Sequence, residues 1–225
     1  MRVLKKIFSL SLFQDNREIL DLSAFENEIA FETSWEPLVG GGTNFCTHRA
    51  QKNTNLMDDV VVFKTAIQAY LFAISFVALG AMFAIASAAG EFEEEIGLMG
   101  LGFLAFGSWE LWSSRRKESR FDRYSNELTQ GDKSFHLKNA EAIQLIREYV
   151  RGSESSYYSY ELNLVWSDSS RINIVDHGAL RKIREDAALL AKYLSIPVWD
   201  AIDFRLPEAE VPFDSKAEVL RQNLG

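Results

Sequence analysis

The sequence predicts an α+β membrane protein, in which a two-helix transmembrane hairpin is inserted into an antiparallel-sheet domain closed by a C-terminal helix. Three observations carry that expectation. From Thr65 to Gly90 there is no Asp, Glu, Lys, Arg or His. Further along, Tyr157 to Ser167 alternates with period two and puts Tyr158, Tyr160, Leu162, Leu164 and Trp166 on one face, as a strand with one buried side does. Between Gly178 and Leu194, the residues Leu180, Ile183, Ala187, Leu190, Ala191 and Leu194 share one helical face.

The charge-free run TAIQAYLFAISFVALGAMFAIASAAG outreaches the roughly 30 Å hydrocarbon core at about 1.5 Å per residue, even when tilted. A buried helix of a soluble core would show polar positions on one face over that length. The second run, Ile96 to Trp112, loses its freedom from charge at Glu110. Extended to Ser114 it reaches the ~20 residues a span needs, with Glu110, Trp109 and Trp112 at headgroup level. A re-entrant helix is the alternative. Between the runs lies the acidic turn Glu91-Phe-Glu-Glu-Glu95, and at the far end stand Arg115, Arg116, Lys117, Arg120 and Arg123. Lys and Arg beside short membrane segments stay on the cytoplasmic side, so a multi-pass chain with both termini cytoplasmic is expected. The same basic residues can rest on anionic headgroups, although topology alone accounts for them.

Small residues recur at helix-packing spacing, as Gly80, Ala84 and Ala88 and as Gly97, Gly100, Gly102 and Gly107. They fit packing within the hairpin or, as a homo-oligomer, against a second copy. No ionisable residue lies mid-run, which argues against a transporter or proton relay.

Around the hairpin the expected order is an N-terminal arm at 1–39, the first strands at 40–64, the hairpin at 65–114, the rest of the sheet domain at 115–200 and an acidic tail at 201–225. Strand candidates are 44–52, 58–64, 119–124, 134–137, 142–150, 157–167 and 171–175, all expected in a single sheet. Asp168-Ser-Ser170 supplies turn chemistry, Asp176 is placed to cap the last helix, and Pro197-Val-Trp199 is expected to pin the chain back on the core. Residues 14–34 read as a helix or irregular arm. Residues 3–13 have the charged start of a signal peptide but too short an apolar stretch, so an amphipathic or docking segment is expected, of a kind that can rest on the membrane surface.

The strands, the membrane pair, Phe121-Asp-Arg123, Ala142-Ile-Gln-Leu145, Tyr160-Glu-Leu-Asn-Leu-Val165, Arg171-Ile-Asn-Ile-Val-Asp-His177 and the final helix follow one another in an order that resembles bacterial two-span membrane proteins with a pleckstrin-homology-like cytoplasmic domain. The resemblance covers about residues 40 to 200. It implies a seven-strand bent sheet capped by one helix, in the bacterial inner (plasma) membrane, and it brings no catalytic residues to carry over.

A formal charge of -8, from 24 Lys and Arg against 32 Asp and Glu, gives nucleic-acid binding no electrostatic support. The lone Cys46 can form neither an intrachain disulfide nor a CxxC pair. Phosphate-loop, dinucleotide, HExxH and GxSxG motifs are absent, and His48, His136 and His177 are too scattered to argue a metal site, so no cofactor is expected. Asp176-His177 is the sharpest catalytic candidate, although a helix cap followed by a surface histidine accounts for both residues. Gly40-Gly-Gly-Thr-Asn44 can form a backbone nest for an anion or a plain loop. Tyr157, Tyr158 and Tyr160 offer a recognition surface or pack along the core. Binding candidates are therefore Asp176, His177, Arg115, Arg116 and Lys117, with the lipid bilayer and a protein as partners. The expected function is a non-enzymatic, membrane-anchored binding or scaffolding protein. The alternatives are an inner-membrane immunity protein against a toxin, motivated by the acidic turn, and a membrane enzyme using Asp176 and His177.

Overall fold

The computed structural model describes residues 18–20, 22, 25, 27–53, 59–152, 155–203 and 205–207. It is an α+β structure with antiparallel sheets and four helices among the described residues. The chain divides into two compact units, one formed by 45–136 and the other by the segments on either side of it. The expected segment at 3–13 and most of the tail lie outside the described residues.

The inner unit is a five-stranded antiparallel meander interrupted by a helical hairpin. Strands β2 (His48–Asn53) and β3 (Val60–Thr65) pair with β4 (Ser119–Asp122), β5 (Glu127–Gln130) and β6 (Lys133–His136) in the order β2-β3-β4-β5-β6. Val61, Phe63, Phe121 and Leu128 form one buried apolar face, and Val60 is buried on the other. Helices α2 (Ile67–Ala88) and α3 (Glu94–Arg116) leave β3 and return into β4. Because Phe63 pairs with Ser119, the two feet of the hairpin are held side by side by a strand ladder.

The helices touch through their glycines. A Cβ on Gly80 would lie 2.6 Å from the Gly100 carbonyl, and one on Gly107 would lie 2.7 Å from the Ala73 carbonyl. Such backbone approach requires residues without side chains. Ser87 fills the space in front of Gly97, whereas Gly102 has nothing within 4 Å and takes no part in the contact expected of it. Phe72, Phe76, Phe83, Phe103 and Phe106 interlock along the same seam, with centroid distances from 4.9 to 6.4 Å. The turn is tighter than the acidic run suggests. Gly90 takes φ +78°, and α3 begins at Glu94, so two of the turn's glutamates form the helix's first turn, where the positive end of its dipole favours them. At 23 residues, α3 is about 34 Å long, longer than the charge-free run alone predicts.

In the other unit, β7 (Ala140–Val150), β8 (Tyr157–Trp166) and β9 (Arg171–His177) form an antiparallel sheet, with β10 (Val198–Asp200) added in parallel beside β7. The expected single sheet is thus two sheets, since the ladder stops between β6 and β7 at a turn where Asn139 takes φ +68°. Asp168 closes the β8-β9 turn by accepting the Ser170 N–H at 3.0 Å. Helix α4 (Leu180–Leu194) covers one face with Ile183, Ala187 and Leu190, and Arg184 ties it to Asp200 of β10 at 2.6 Å.

The opposite face of this sheet is also covered, which period-two alternation does not reveal. Helix α1 (Glu28–Glu32), Leu22 and Trp35 pack with Ala142, Ile146, Val165 and Trp199 into a second apolar cluster. Trp35 stacks on Phe25 at 5.2 Å and donates its indole N–H to the Ala30 carbonyl at 2.8 Å. Trp199 is 2% exposed, so the Pro197-Val-Trp199 segment does pin the chain to the core. Backbone pairing of β1 (Glu18–Leu20) with β11 (Arg205–Pro207) brings the two ends of the described chain together.

Candidate functional site

Two places concentrate polar or amphipathic chemistry, one in each unit. The first is the foot of the hairpin. Trp109 and Trp112 are 55% and 56% exposed at the end of an otherwise apolar helix, and the Arg116 guanidinium stacks over the Trp112 ring at 4.6 Å. An indole one turn before an arginine suits the boundary between hydrocarbon and headgroups. Arg115 and Arg116 also occupy the last turn of α3, where the negative end of the helix dipole stabilises cations. Arg116 reaches Asp132 at 3.5 Å, Arg120 reaches Asp122 at 3.1 Å and Arg123 reaches Asp59 at 3.6 Å. These pairs are largely exposed and contribute little to stability. Glu110 is half-buried and forms no ion pair among the described residues. His48 is buried at the same foot, with its Nε2 donating to the Ser114 carbonyl at 3.1 Å, and burial lowers its pKa.

The second place is the face of the β7-β8-β9 sheet that carries Gln144, Glu148, Ser159, Glu161, Asn163, Arg171 and Asp176. Glu161, at 2% exposure, accepts the N–H groups of Leu38 (2.9 Å) and Val39 (3.0 Å), and Asn163 donates to it at 2.6 Å. Gln144 donates to the Ser34 carbonyl and Arg171 to the Glu36 carbonyl, both at 3.0 Å. Burial lowers the Arg171 pKa, with the charges of Glu161 and Glu36 opposing. Glu148 accepts the Gly41 N–H at 3.0 Å, so this N–H of the Gly40-Gly-Gly-Thr-Asn44 segment, for which an anion nest and a plain loop were the alternatives, meets a carboxylate of the chain itself. Burial raises the Glu148 pKa, the Gly41 N–H opposes it, and the nearby Glu161 charge raises it further.

Asp176 and His177 are not brought together. As neighbours in a strand they point to opposite faces. Asp176 accepts a short hydrogen bond from Ser159, while His177 is fully buried and accepts the Ala179 N–H through Nδ1 at 3.2 Å. The expected Asp176 cap is absent: Ala179 is the N-cap of α4 and makes no side-chain cap bond, and the backbone turn is tied by the histidine instead. The histidine expected at the surface is therefore an interior one. Gly178 is closely packed, since a Cβ there would lie 2.7 Å from the Asn44 Cα.

Tyr157 donates to the Gly42 carbonyl at 2.6 Å. Tyr158, 38% exposed, pairs with Tyr149 at 5.2 Å and receives Arg147 over its ring at 4.6 Å. A shallow open cleft beside this pair is lined by Tyr149, Arg151, Gly152 and Ser156. Among the described residues no group of three or more His, Cys, Asp or Glu side chains is placed to hold a metal ion.

Comparison with family models, curated proteins and solved structures found no match to this chain. Function is therefore argued from the two sites themselves.

Proposed function

We propose that the chain is a membrane-anchored binding or scaffolding protein of the bacterial inner (plasma) membrane. In this reading α2 and α3 cross the bilayer as an antiparallel hairpin, the acidic turn lies outside, and the pleckstrin-homology-like sheets engage a protein partner on the cytoplasmic side. One observation carries the anchoring. The outer surface of the hairpin is apolar and uncovered: Ile67 and Ile85 are each 70% exposed, Leu98 is 68% exposed, and Leu71, Ile74, Met82 and Leu101 stand beside them. A patch of that kind does not stay in water on a monomer. Among the described residues α2 alone is long and apolar enough by composition to cross a membrane. The crossing of α3 is supported by its length, its glycine contacts with α2 and its Trp and Arg foot.

The exposed glutamates at 91 and 93–95 give a specific observation in favour of a second reading, an immunity protein that meets a toxin at the outer surface. The opposite orientation of Asp176 and His177 gives the enzyme reading no such support.

The full-length chain, expressed in bacteria, is expected to stay in the membrane pellet after alkaline carbonate extraction and to leave a panel of esters, phosphates and nucleotides unchanged. Release into the carbonate supernatant contradicts the anchoring. Turnover of any substrate on the panel, lost on His177→Ala, contradicts the binding role.

A further inference from the structure

The charges on the five-stranded sheet are sorted by their distance from the hairpin. Along the strands and at the ends that point away from it, cations meet acids: Lys52 reaches Asp59 at 3.1 Å, Arg123 reaches Asp59 at 3.6 Å and Arg120 reaches Asp122 at 3.1 Å. At the other end β3 runs into α2 and α3 returns into β4. The β5-β6 turn belongs to that end, since Gln130 pairs with both Ser119 and Lys133. There Lys64, Arg115, Lys117 and Lys133 are exposed and form no ion pair among the described residues. The acids beside them are Glu118 and Asp132, and Arg116 already reaches Asp132 at 3.5 Å. Glu110 stands five residues before Arg115, about 8 Å further along α3.

Lys64 stands directly opposite Arg49 in the β2-β3 ladder, so the two share one face of the sheet. Like charges placed in this way destabilise the strand pair. Orientation in a membrane depends on how many Lys and Arg flank the spans, and it does not require that two of them oppose each other in a ladder. An anion relieves the repulsion, and position says which anion. Lys64 precedes Ile67, the 70% exposed first residue of α2, by three residues, about 10 Å of extended chain at most. The headgroup layer is roughly 5–8 Å deep on each side of the hydrocarbon, and a lysine stem spans the remaining gap. Arg120 lies opposite Val62, two residues further from the hairpin than Lys64, and there the sheet supplies Asp122. The cations left without an acid are thus the ones within reach of headgroups.

We infer that this end of the five-stranded sheet is a binding surface for the headgroups of acidic phospholipids, formed by Lys64, Arg115, Lys117 and Lys133 with Arg49 beside Lys64. The inference rests on the reading that the hairpin crosses the bilayer, and it makes the lipid around the hairpin a partner selected by charge. A phosphate between Lys64 and Arg49 turns their repulsion into a shared attraction. Trp109 and Trp112 hold the end of α3 at the hydrocarbon boundary, which keeps Arg115 and Lys117 at the same depth. Each cation at an anionic surface strengthens the association about fivefold.

The test uses the full chain reconstituted in phosphatidylcholine vesicles that carry a trace of nitroxide-labelled phosphatidylglycerol or nitroxide-labelled phosphatidylcholine. Both leaflets are alike, so either orientation of insertion meets the same lipids. Electron spin resonance reads the share of label immobilised at the protein. The wild type is expected to hold the phosphatidylglycerol label at least about fivefold more strongly than the phosphatidylcholine label. In 1 M salt, where charges are screened beyond about 3 Å, that preference is expected to vanish, a readout that needs no variant to fold. Lys64→Gln, Arg115→Gln and Lys117→Gln together are expected to remove most of the preference. Removing as many charges from the acid-matched positions, by Lys52→Gln, Arg120→Gln and Arg123→Gln, is expected to leave it within about twofold of the wild type. Equal holding of the two labels by the wild type, or equal loss in the two triple variants, overturns the headgroup surface. Release of the protein from the vesicles by alkaline carbonate overturns the anchoring instead, so the two failures are told apart.

Discussion

At the scale of single residues, Glu148 shows how a half-buried carboxyl carries a pH dependence that the sequence does not display. Burial raises its pKa, and Glu161 adds to the rise despite the Gly41 N–H. A carboxyl whose folded-state pKa is above its unfolded one binds its proton more tightly when folded. The associated stability is fully present below the usual Glu value and is lost as pH rises through the folded-state pKa. Glu148→Gln keeps an oxygen to accept the Gly41 N–H and removes the charge. Denaturant titrations from about pH 4 to pH 8 are expected to show a shallower loss of stability with rising pH in this variant. An unchanged slope would place the carboxylate in water. Of these residues, the Asp168 turn was legible in the sequence because a short acid followed by serines makes its bonds locally. The burial of His177 was not legible, since it depends on which face of β9 lies beneath α4.

At the scale of elements, the hairpin follows from two sequence features, freedom from charge and small residues at helical spacing. Its contacts separate glycines that matter from one that does not. Gly80→Val forces a branched side chain against the Gly100 carbonyl and Leu104, and is expected to cost the helix pair about 1–3 kcal/mol; Gly102→Ala, facing open space, is expected to cost well under 1 kcal/mol. Unfolding of the reconstituted protein by increasing SDS reads both. Equal losses at the two positions would mean that the seam lies elsewhere. The strands show where reading by periodicity stops. Alternation from Tyr157 to Trp166 identified β8, but it marked Ser159, Glu161 and Asn163 as a solvent face. They are buried, because polar side chains there grip the backbone of an arm whose own pattern is too short to announce its docking site. Strand β5, only four residues long, carries too little alternation to be read.

At the scale of the whole molecule, the α+β class and the insertion of a helical hairpin between strands were legible, because each depends on patterns longer than ten residues. The division into two sheets was not, since it turns on whether β6 and β7 share a ladder, which strand spacing does not fix. The central claim is that the hairpin spans the bilayer with both flanks inside. Its most direct test is the labelling of single introduced cysteines by a membrane-impermeant maleimide in intact spheroplasts, with Cys46 fully buried and so silent. Glu94→Cys stands at the exposed turn, and Tyr124→Cys replaces a side chain that is 97% exposed in the loop after β4. Labelling of Glu94→Cys in intact spheroplasts, with Tyr124→Cys labelled only after permeabilisation, is the result expected. Labelling of both positions from the same side, or the reverse pattern, would contradict the hairpin's crossing or its orientation.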